Sequence, residues 1–240
     1  MIETLLPEIS RRMILASRAL DVGGWNTQLN AATHVIDHLP YETRLSRAHD
    51  SWNAPRFSAA TWIQQDICER RPWPFPDKFF DFATCSHVLE DVRDPIWVLS
   101  ELSRVARAGY LETPKPEEEL LTWQKGVRPG TIGLAHHRWF VSFQPMNSLV
   151  EFRMKPYDLH ARGLTVRYWT GVYEHKYEAF RQGMFWESEV RGVEIPYAEE
   201  TSYSYAASLR KSARRLVWFA PVRRIGGKVR RLLRGPRTLS

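Results

Sequence analysis

Two acids and a pair of glycines near the amino terminus have the types and spacing of a nucleoside-binding site. Asp21 lies in the short apolar run 19–22 and precedes Gly23 and Gly24, and Asp37 ends a second apolar run. Glycines lack a Cβ, so the chain can turn with positive φ and let a ligand approach the backbone closely. An acid at the end of the second strand is placed to accept hydrogen bonds from ribose hydroxyls. The pattern predicts binding of a small adenosine-bearing cofactor.

The same stretch does not fit a dinucleotide loop. Such a loop reads G-x-G-x-x-G and places a helix amino terminus over the pyrophosphate, whereas Trp25-Asn26-Thr27-Gln28 follow Gly24 here. A nicotinamide-dependent oxidoreductase is therefore the weaker alternative, although Asp37 suits that cofactor equally well.

Further elements must position these residues. Strands are predicted over 61–67 and 79–86, joined by a proline-rich loop over 72–77. A helix is predicted over 95–105, where Asp94 is the cap, proline begins the first turn and apolar residues recur at helical spacing. Gly109 is expected to end this helix, and Tyr110 to begin a fifth strand.

The middle of the chain resembles a known family. The stretch 74–82 and the block Ser86-His87-Val88-Leu89-Glu90-Asp91-Val92, followed by Asp94-Pro95, Arg104-Val105 and Gly109-Tyr110, are similar to class I methyltransferases that use S-adenosylmethionine. Within that class the chain is most similar to the small type 11 group, over residues 18–140. The resemblance implies a Rossmann-like α/β fold with a mostly parallel seven-stranded sheet, an antiparallel closing strand and helices on both faces.

The resemblance also implies which residues hold the cofactor. Those residues are Asp21, Gly23, Gly24, Asp37, Asp66, Ile67 and Ser86. The first three fall beside the methionine moiety, Asp37 falls on the ribose-binding acid, and Asp66 with Ile67 falls on the pair that holds the adenine. Ser86 and His87 fall on the loop that lies under the cofactor and faces the acceptor.

Methyl transfer is an in-line displacement, so holding the acceptor close to the methyl group supplies most of the acceleration. A hydroxyl acceptor must also lose a proton, and His87, after the fourth strand, is the leading candidate for the base. Packing of His87 against the cofactor for shape alone is the alternative.

A second polar cluster follows the fifth strand after a long loop. His136, His137 and Arg138 are candidates to orient an acidic or hydroxylated substrate, with His137 as a second catalytic candidate; a strand entry with solvated side chains is the alternative. No metal site is predicted, because adjacent histidines do not easily face one ion, and His34 with His38 straddle a strand end.

Residues 140–200 are less informative. Strands are predicted over 149–154, 164–169 and 183–187, and two of these are expected to complete the sheet as an antiparallel closing pair. Four aromatic residues are candidates for an acceptor pocket, with core packing as the alternative: Trp169, Tyr173, Phe185 and Trp186.

Charge divides the chain into a body and a tail. Residues 201–240 carry eleven Lys or Arg and no acid, so the formal net charge of +7 resolves into +11 for this tail and −4 for the rest. One domain is predicted over 1–200, with a small cap within 115–190. The tail mixes bases with apolar residues at helical intervals, which favours an anionic membrane surface over a packed or solvated helix and over nucleic acid.

The predicted protein is a cytoplasmic S-adenosylmethionine-dependent methyltransferase. No secretory leader or membrane-spanning run is expected, and Cys68 and Cys85 are expected to be buried, reduced thiols. The tail predicts a peripheral position at the inner face of the membrane, and this suggests O-methylation of a small-molecule, glycan-linked or lipid-linked acceptor. A catalytically degenerate scaffold with the same fold is the alternative, because Trp25, Thr27 and Asp91 depart from the family pattern.

Overall fold

The computed structural model describes residues 1–45, 47–123, 136–159, 161–168 and 177–219. The helices in this part of the chain are α1 (Leu6–Leu15), α2 (Pro95–Val105) and α3 (Glu199–Phe219). The strands are β1 (Ala19–Val22), β2 (His34–Asp37), β3 (Trp62–Gln64), β4 (Phe82–Ser86), β5 (Ala108–Pro114), β6 (Leu121–Trp123), β7 (Trp139–Gln144), β8 (Leu149–Met154), β9 (Val166–Tyr168), β10 (Arg181–Glu187) and β11 (Arg191–Ile195).

The central sheet has six strands among the described residues, in the order β10-β5-β4-β1-β2-β3. The five strands β1 to β5 are parallel, and β10 pairs antiparallel with β5. This confirms the predicted mostly parallel sheet with an antiparallel closing strand. The described sheet has one strand fewer than the seven predicted. Of the predicted closing pair, only β10 joins it.

The other two predicted strands belong to smaller sheets. β8 lies between β7 and β11 in a three-stranded sheet, and β9 pairs with β6. Buried and partly exposed residues alternate along β8. Its buried residues, Val150 and Phe152, pack into the main apolar core, on the side of the central sheet that α2 covers. Period-two alternation identifies a strand but not the sheet that it joins.

Helices cover both faces of the central sheet, as predicted. Alternate residues of a strand point to opposite faces, and in β1 Ala19 packs with the residues of α1 whereas Leu20 packs with those of α2. Both faces are therefore apolar, which is expected of a parallel sheet that is buried on each side.

The start of α2 follows the prediction. Asp94 caps the helix by accepting a hydrogen bond from the Trp97 amide at 3.1 Å, and Pro95 occupies the first turn. The helix also ends at Val105, at the predicted bound, but Gly109 is not what ends it, because this glycine lies inside β5. A Cβ at Gly109 would lie 2.4 Å from the Ala83 carbonyl oxygen of β4, so this glycine permits close strand contact.

The connections after β1 and β2 contain no α-helix in their described residues. They are held by buried polar groups instead. Asp50 accepts hydrogen bonds from the amides of Asn30 and Ala31 at 2.6 and 2.9 Å, and the Arg56 guanidinium donates to backbone carbonyls that include Met13. These contacts hold the connections at the amino edge of the sheet, beside the residues that precede β1 and β2.

The described part of the basic tail is helix α3, which packs against its own chain. Ala206 and Ala213 are fully buried, and Leu209 and Leu216 pack beside them. One face of residues 201–219 is therefore packed, residues 220–240 lie outside the described residues, and the partner of the tail stays a prediction. Of the helices described, none is long and apolar enough to cross a membrane.

Candidate active site

A cavity of about 380 Å³ opens at the carboxyl edge of the central sheet. Its lining residues come from the segments that follow β2, β3 and β4: Asp37, His38, Asp66, Ile67, His87, Val88, Asp91 and Val92. Ligands of open α/β sheets bind at this edge, and the volume is within the range of small-molecule sites, about 300–1,000 Å³. Four predicted site residues are thus brought together: Asp37, Asp66, Ile67 and His87.

Asp37 is buried at the end of β2. Its two carboxylate oxygens accept hydrogen bonds from the amides of Trp25 and Leu39, at 3.0 and 2.9 Å. A carboxylate has about four acceptor sites. Asp37 therefore retains acceptor capacity toward the cavity while it also fixes the loop after β1.

Asp66 and Ile67 lie just beyond β3. The Asp66 carboxylate accepts from the Cys68 amide at 2.8 Å and pairs with the Arg93 guanidinium at 2.7 Å. Burial disfavours the charged carboxylate, but these two contacts outweigh it, so the pKa of Asp66 is lowered. The acid is therefore ionised at neutral pH, beside the apolar side chain of Ile67.

Asp21, Gly23 and Gly24 do not line the cavity. Gly23 has a φ of +78°, as the predicted turn requires, but the group that approaches it is a side chain of the protein. A Cβ on Gly23 would lie 2.3 Å from a Val88 methyl carbon. Asp21 accepts hydrogen bonds from the Leu29 amide and the Thr84 hydroxyl, at 2.9 and 2.8 Å. Burial raises the pKa of Asp21 to about 7 despite these bonds.

Ser86 is the last residue of β4, and His87 begins the turn after it. The Ser86 hydroxyl oxygen is buried and has no hydrogen-bond partner among the described residues. His87 has a φ of +55°, in the left-handed region that residues other than glycine seldom adopt. Strained backbone of this kind is concentrated at functional sites.

Both ring nitrogens of His87 face carboxylates. Nδ1 lies 3.2 Å from Glu90 and Nε2 lies 3.1 Å from Glu112. Burial disfavours the protonated ring, but the two carboxylates outweigh it, and the pKa of His87 is raised. The ring is thus held between two acids.

Glu112 is fully buried and connects several groups. It accepts hydrogen bonds from the Ile2 amide at 2.8 Å and the Tyr110 hydroxyl at 2.7 Å, and the amino group of Met1 lies 3.3 Å away. Burial disfavours the charge, yet His87 and the amino group lower the pKa of Glu112 to about 2. Sequence reasoning missed Glu112 and Glu90. The available signal was an acid within the otherwise apolar strand β5.

The predicted polar cluster around His137 lies beside the cavity. His137 is buried, and its Nδ1 lies 2.6 Å from Glu119, which also pairs with Lys155 at 2.8 Å. The Nε2 atoms of His137 and His136 lie 3.7 and 3.9 Å from one oxygen of Asp91, a cavity residue. Adjacent histidines do therefore face a common point, contrary to the expectation from the sequence.

The aromatic acceptor pocket does not form from its described candidates. Trp186 is buried in the main core and Phe185 packs against Tyr110, on the opposite face of the sheet. Both have the core role that was the alternative, and Trp169 and Tyr173 lie outside the described residues. Cys68 and Cys85 are buried free thiols, as predicted.

Residues 20–111 match the family model described as Methyltransferase domain, which confirms the resemblance seen in the sequence. The chain matches none of the curated proteins.

Three solved structures are similar to this chain. The N-terminal domain of EvdMO1, crystallised in the presence of SAH and D-fucose, is 18% identical over 58% of this chain and 57% of its own, with a TM-score of 0.35. A SAM-dependent methyltransferase from Aquifex aeolicus is 20% identical over 54% of this chain and 70% of its own, with a TM-score of 0.34. An S-adenosylmethionine-dependent methyltransferase from Mesorhizobium loti is 15% identical over 66% and 71%, with a TM-score of 0.34.

Proposed function

We propose, from the premise that residues 20–111 belong to the methyltransferase domain family, that this protein is an S-adenosylmethionine-dependent methyltransferase. The observation that carries the proposal is the cavity itself, where Asp37, Asp66, Ile67 and His87 meet at the carboxyl edge of the sheet. S-adenosylmethionine supplies a methyl group on a positively charged sulfur, which a nucleophile can displace directly.

The residues present fit this cofactor. The Asp37 carboxylate suits two adjacent ribose hydroxyls, because its oxygens can accept further hydrogen bonds beyond those from Trp25 and Leu39. Asp66 with Ile67 offers an acceptor and an apolar surface to the adenine. The Ser86 hydroxyl is buried without a partner in the part of the chain that the structure describes, so it has hydrogen-bonding capacity left for a ligand. Gly23 contacts Val88, which lines the cavity, and Gly24 lies against the Asp21 carboxylate, so these three residues shape the turn beside the cavity.

The acceptor is proposed to be a hydroxyl of a small molecule or of a glycan-linked or lipid-linked precursor. Its proton must leave during transfer, and His87 is the proposed base. One ring nitrogen must first leave its carboxylate partner, Glu90 or Glu112, to accept that proton. Because the pKa of His87 is raised by Glu112 and Glu90, the neutral ring becomes available only above its ordinary titration range. The rate is therefore expected to rise as the pH increases through that raised pKa. A rate that is independent of pH above 6 would argue that His87 only shapes the site.

Cofactor binding is the first test. We expect purified full-length chain to bind S-adenosylmethionine in calorimetric titration, and Asp37→Asn to weaken binding about 10- to 100-fold, since one charge-assisted hydrogen bond contributes about 1.5–3 kcal/mol. Asp50→Asn is the matched control, because Asp50 is also buried and also accepts two loop amides but does not line the cavity.

Equal weakening by both variants would mean that loop disorder, not ribose recognition, explains the loss. Binding of NADH in place of S-adenosylmethionine would favour an oxidoreductase. Cofactor binding without turnover on a panel of hydroxyl acceptors would favour the scaffold alternative.

The tail is proposed to hold the protein at an anionic membrane surface on the cytoplasmic side. In α3, Trp218 is 74% exposed beside the basic groove of Arg210, Lys211, Arg214 and Arg215. Each base near such a surface contributes about 1 kcal/mol. Flotation with vesicles of anionic lipid tests this, with zwitterionic vesicles as the control; retention of an RNA oligonucleotide with no flotation would favour nucleic acid.

A further inference from the structure

Three potential metal ligands converge at the edge of the cavity. Asp91 lines the cavity, and one of its carboxylate oxygens is buried and accepts no hydrogen bond from the described residues. The two nearest ring nitrogens are Nε2 of His137 and Nε2 of His136, at 3.7 and 3.9 Å from that oxygen. Both separations are longer than a hydrogen bond. We propose that Asp91, His136 and His137 bind a divalent transition-metal ion, with Zn²⁺ the best match.

The spacing suits such an ion. Each of the three side chains offers one ligand atom, and these atoms lie within 4.8 Å of one another. In a tetrahedral zinc site with bonds of about 2.1 Å, ligand atoms lie about 3.4 Å apart. The separations from Asp91 exceed that value by only a few tenths of an ångström. A small movement of the exposed His136 ring closes the difference.

The surroundings of His137 favour a metal ligand over an ordinary buried histidine. Glu119 lies 2.6 Å from Nδ1 and is itself held by Lys155 at 2.8 Å. The Lys155 ammonium donates to one oxygen of Glu119, and the other oxygen faces His137, so Glu119 is an acceptor toward the ring. His137 therefore donates from Nδ1 and presents Nε2 to Asp91. A carboxylate behind a histidine in this way is the usual outer support of a histidine ligand.

The backbone also holds the cluster in place. The Glu90 carbonyl accepts hydrogen bonds from the amides of Arg138 and Trp139, at 2.7 and 3.2 Å. The residues on either side of this contact are Asp91 and His137. The segment after β4 and the segment before β7 are thus fixed to each other at the point where the ligands meet.

The types of the three ligand atoms determine which class of metal ion the cluster prefers. Two imidazole nitrogens and one carboxylate oxygen suit Zn²⁺ or Fe²⁺ better than Mg²⁺ or Ca²⁺, which prefer oxygen ligands. Three protein ligands leave a position open for a ligand from solution. The role of the ion rests on the proposed function: at the cavity edge it polarises the acceptor hydroxyl and lowers its pKa, so that a proton leaves more readily.

Metal binding is measured with untagged, chelator-treated full-length protein and Zn²⁺ alone. We expect one Zn²⁺ per chain in calorimetric titration, at least tenfold weaker binding in Asp91→Asn and His136→Gln, and 10- to 100-fold weaker binding in Glu119→Gln, the range usual for outer-shell partners. His136 is 65% exposed, so its variant is expected to fold. His38→Gln is the control for Zn²⁺ binding alone, since it removes an imidazole that is 70% exposed and lies outside the cluster, on the wall of the cofactor cavity.

A second readout is the visible absorption of bound Co²⁺, which reports coordination by nitrogen and oxygen. We expect a band in the wild-type protein that is lost in His136→Gln and kept in His38→Gln. No Zn²⁺ uptake, or equal affinity in all variants, would overturn the proposal and leave the cluster as an ion pair between a protonated His137 and its carboxylates. Titration of the same samples with S-adenosylmethionine separates the two hypotheses: cofactor binding without Zn²⁺ uptake overturns only the metal site, and the reverse overturns only the proposed function.

Discussion

The close approach of Val88 to Gly23 predicts how much a side chain at position 23 would lower the free energy of unfolding. A methyl group added there would meet two separate obstacles. Its φ of +78° costs a residue with a Cβ about 1–2 kcal/mol, and the new Cβ would lie 2.3 Å from a Val88 methyl carbon. Overpacking of this kind costs about 1–3 kcal/mol. The loss for Gly23→Ala is therefore about 2–5 kcal/mol.

A double-mutant cycle separates the two terms. Val88→Ala removes the methyl that would clash but leaves φ unchanged. In the Gly23→Ala/Val88→Ala protein we expect about 1–3 kcal/mol of the loss to return as coupling energy, beyond the cost of Val88→Ala alone. The residual loss of about 1–2 kcal/mol is the backbone term.

The assay is urea unfolding followed by far-ultraviolet circular dichroism, with thermal melting as a second measure. In a chain of this size 1 kcal/mol corresponds to about 2–4 °C in Tm. Gly23→Ala is expected to lower the Tm by about 4–20 °C, and the double variant to recover part of that. Additive effects, with no coupling between positions 23 and 88, would refute the packing argument. No loss in Gly23→Ala would refute both terms.

Two further predictions concern strand β5. Gly109→Ala is expected to destabilise the fold by more than about 3 kcal/mol, and trimming Trp186 is not expected to rescue it in urea unfolding, because the nearest atom, 2.4 Å from the new Cβ, is the backbone oxygen of Ala83. Recovery in a Trp186→Phe background would show that the side chain, not the strand, is the obstacle. The pKa of Glu112 is lowered from 4.5 to about 2. The ionised carboxylate therefore stabilises the fold fully above pH 4.5, and this stabilisation is lost as the pH falls toward 2. The loss amounts to about 3 kcal/mol of unfolding free energy. Glu112→Gln is expected to be less stable at pH 7 and to show a flatter dependence of unfolding free energy on pH between 4.5 and 2; parallel pH curves for the two proteins would contradict this.

Local signals in the sequence predicted the elements that depend on neighbouring residues, such as the start of α2. The cap and first turn of α2 depend on Asp94 and Pro95, which act on their own neighbours, and the structure reproduces them. The sequence did not predict which strands pair when they are distant along the chain. The alternating run 149–154 does form a strand, but the partners of that strand are β7 and β11, which no local pattern specifies. Gly109 was predicted to be a helix end, and this was wrong. The constraint on Gly109 is the close approach of the neighbouring strand β4, which no local pattern reveals.

The candidate site divides in the same way. Asp37 and His87 were identified by their positions at strand ends, and Asp66 with Ile67 by the resemblance to the methyltransferase family. Strand ends of a parallel sheet meet at one edge, where the structure brings the four together. The acids that hold the histidines were missed. Glu112 and Glu119 are distant in sequence from His87 and His137, and burial with a partner of opposite charge is a property of the folded chain alone.

The connections after β1 and β2 depend on single buried carboxylates where a helix would otherwise supply many backbone hydrogen bonds. Asp21 fixes the amide of Leu29, and Asp50 fixes those of Asn30 and Ala31. Amide exchange in these irregular residues is then governed by the opening of a polar anchor, not by the unzipping of a turn of helix. We therefore expect the local stability of these connections to depend on a few buried polar side chains, with Asp37 and Arg56 acting beside Asp21 and Asp50.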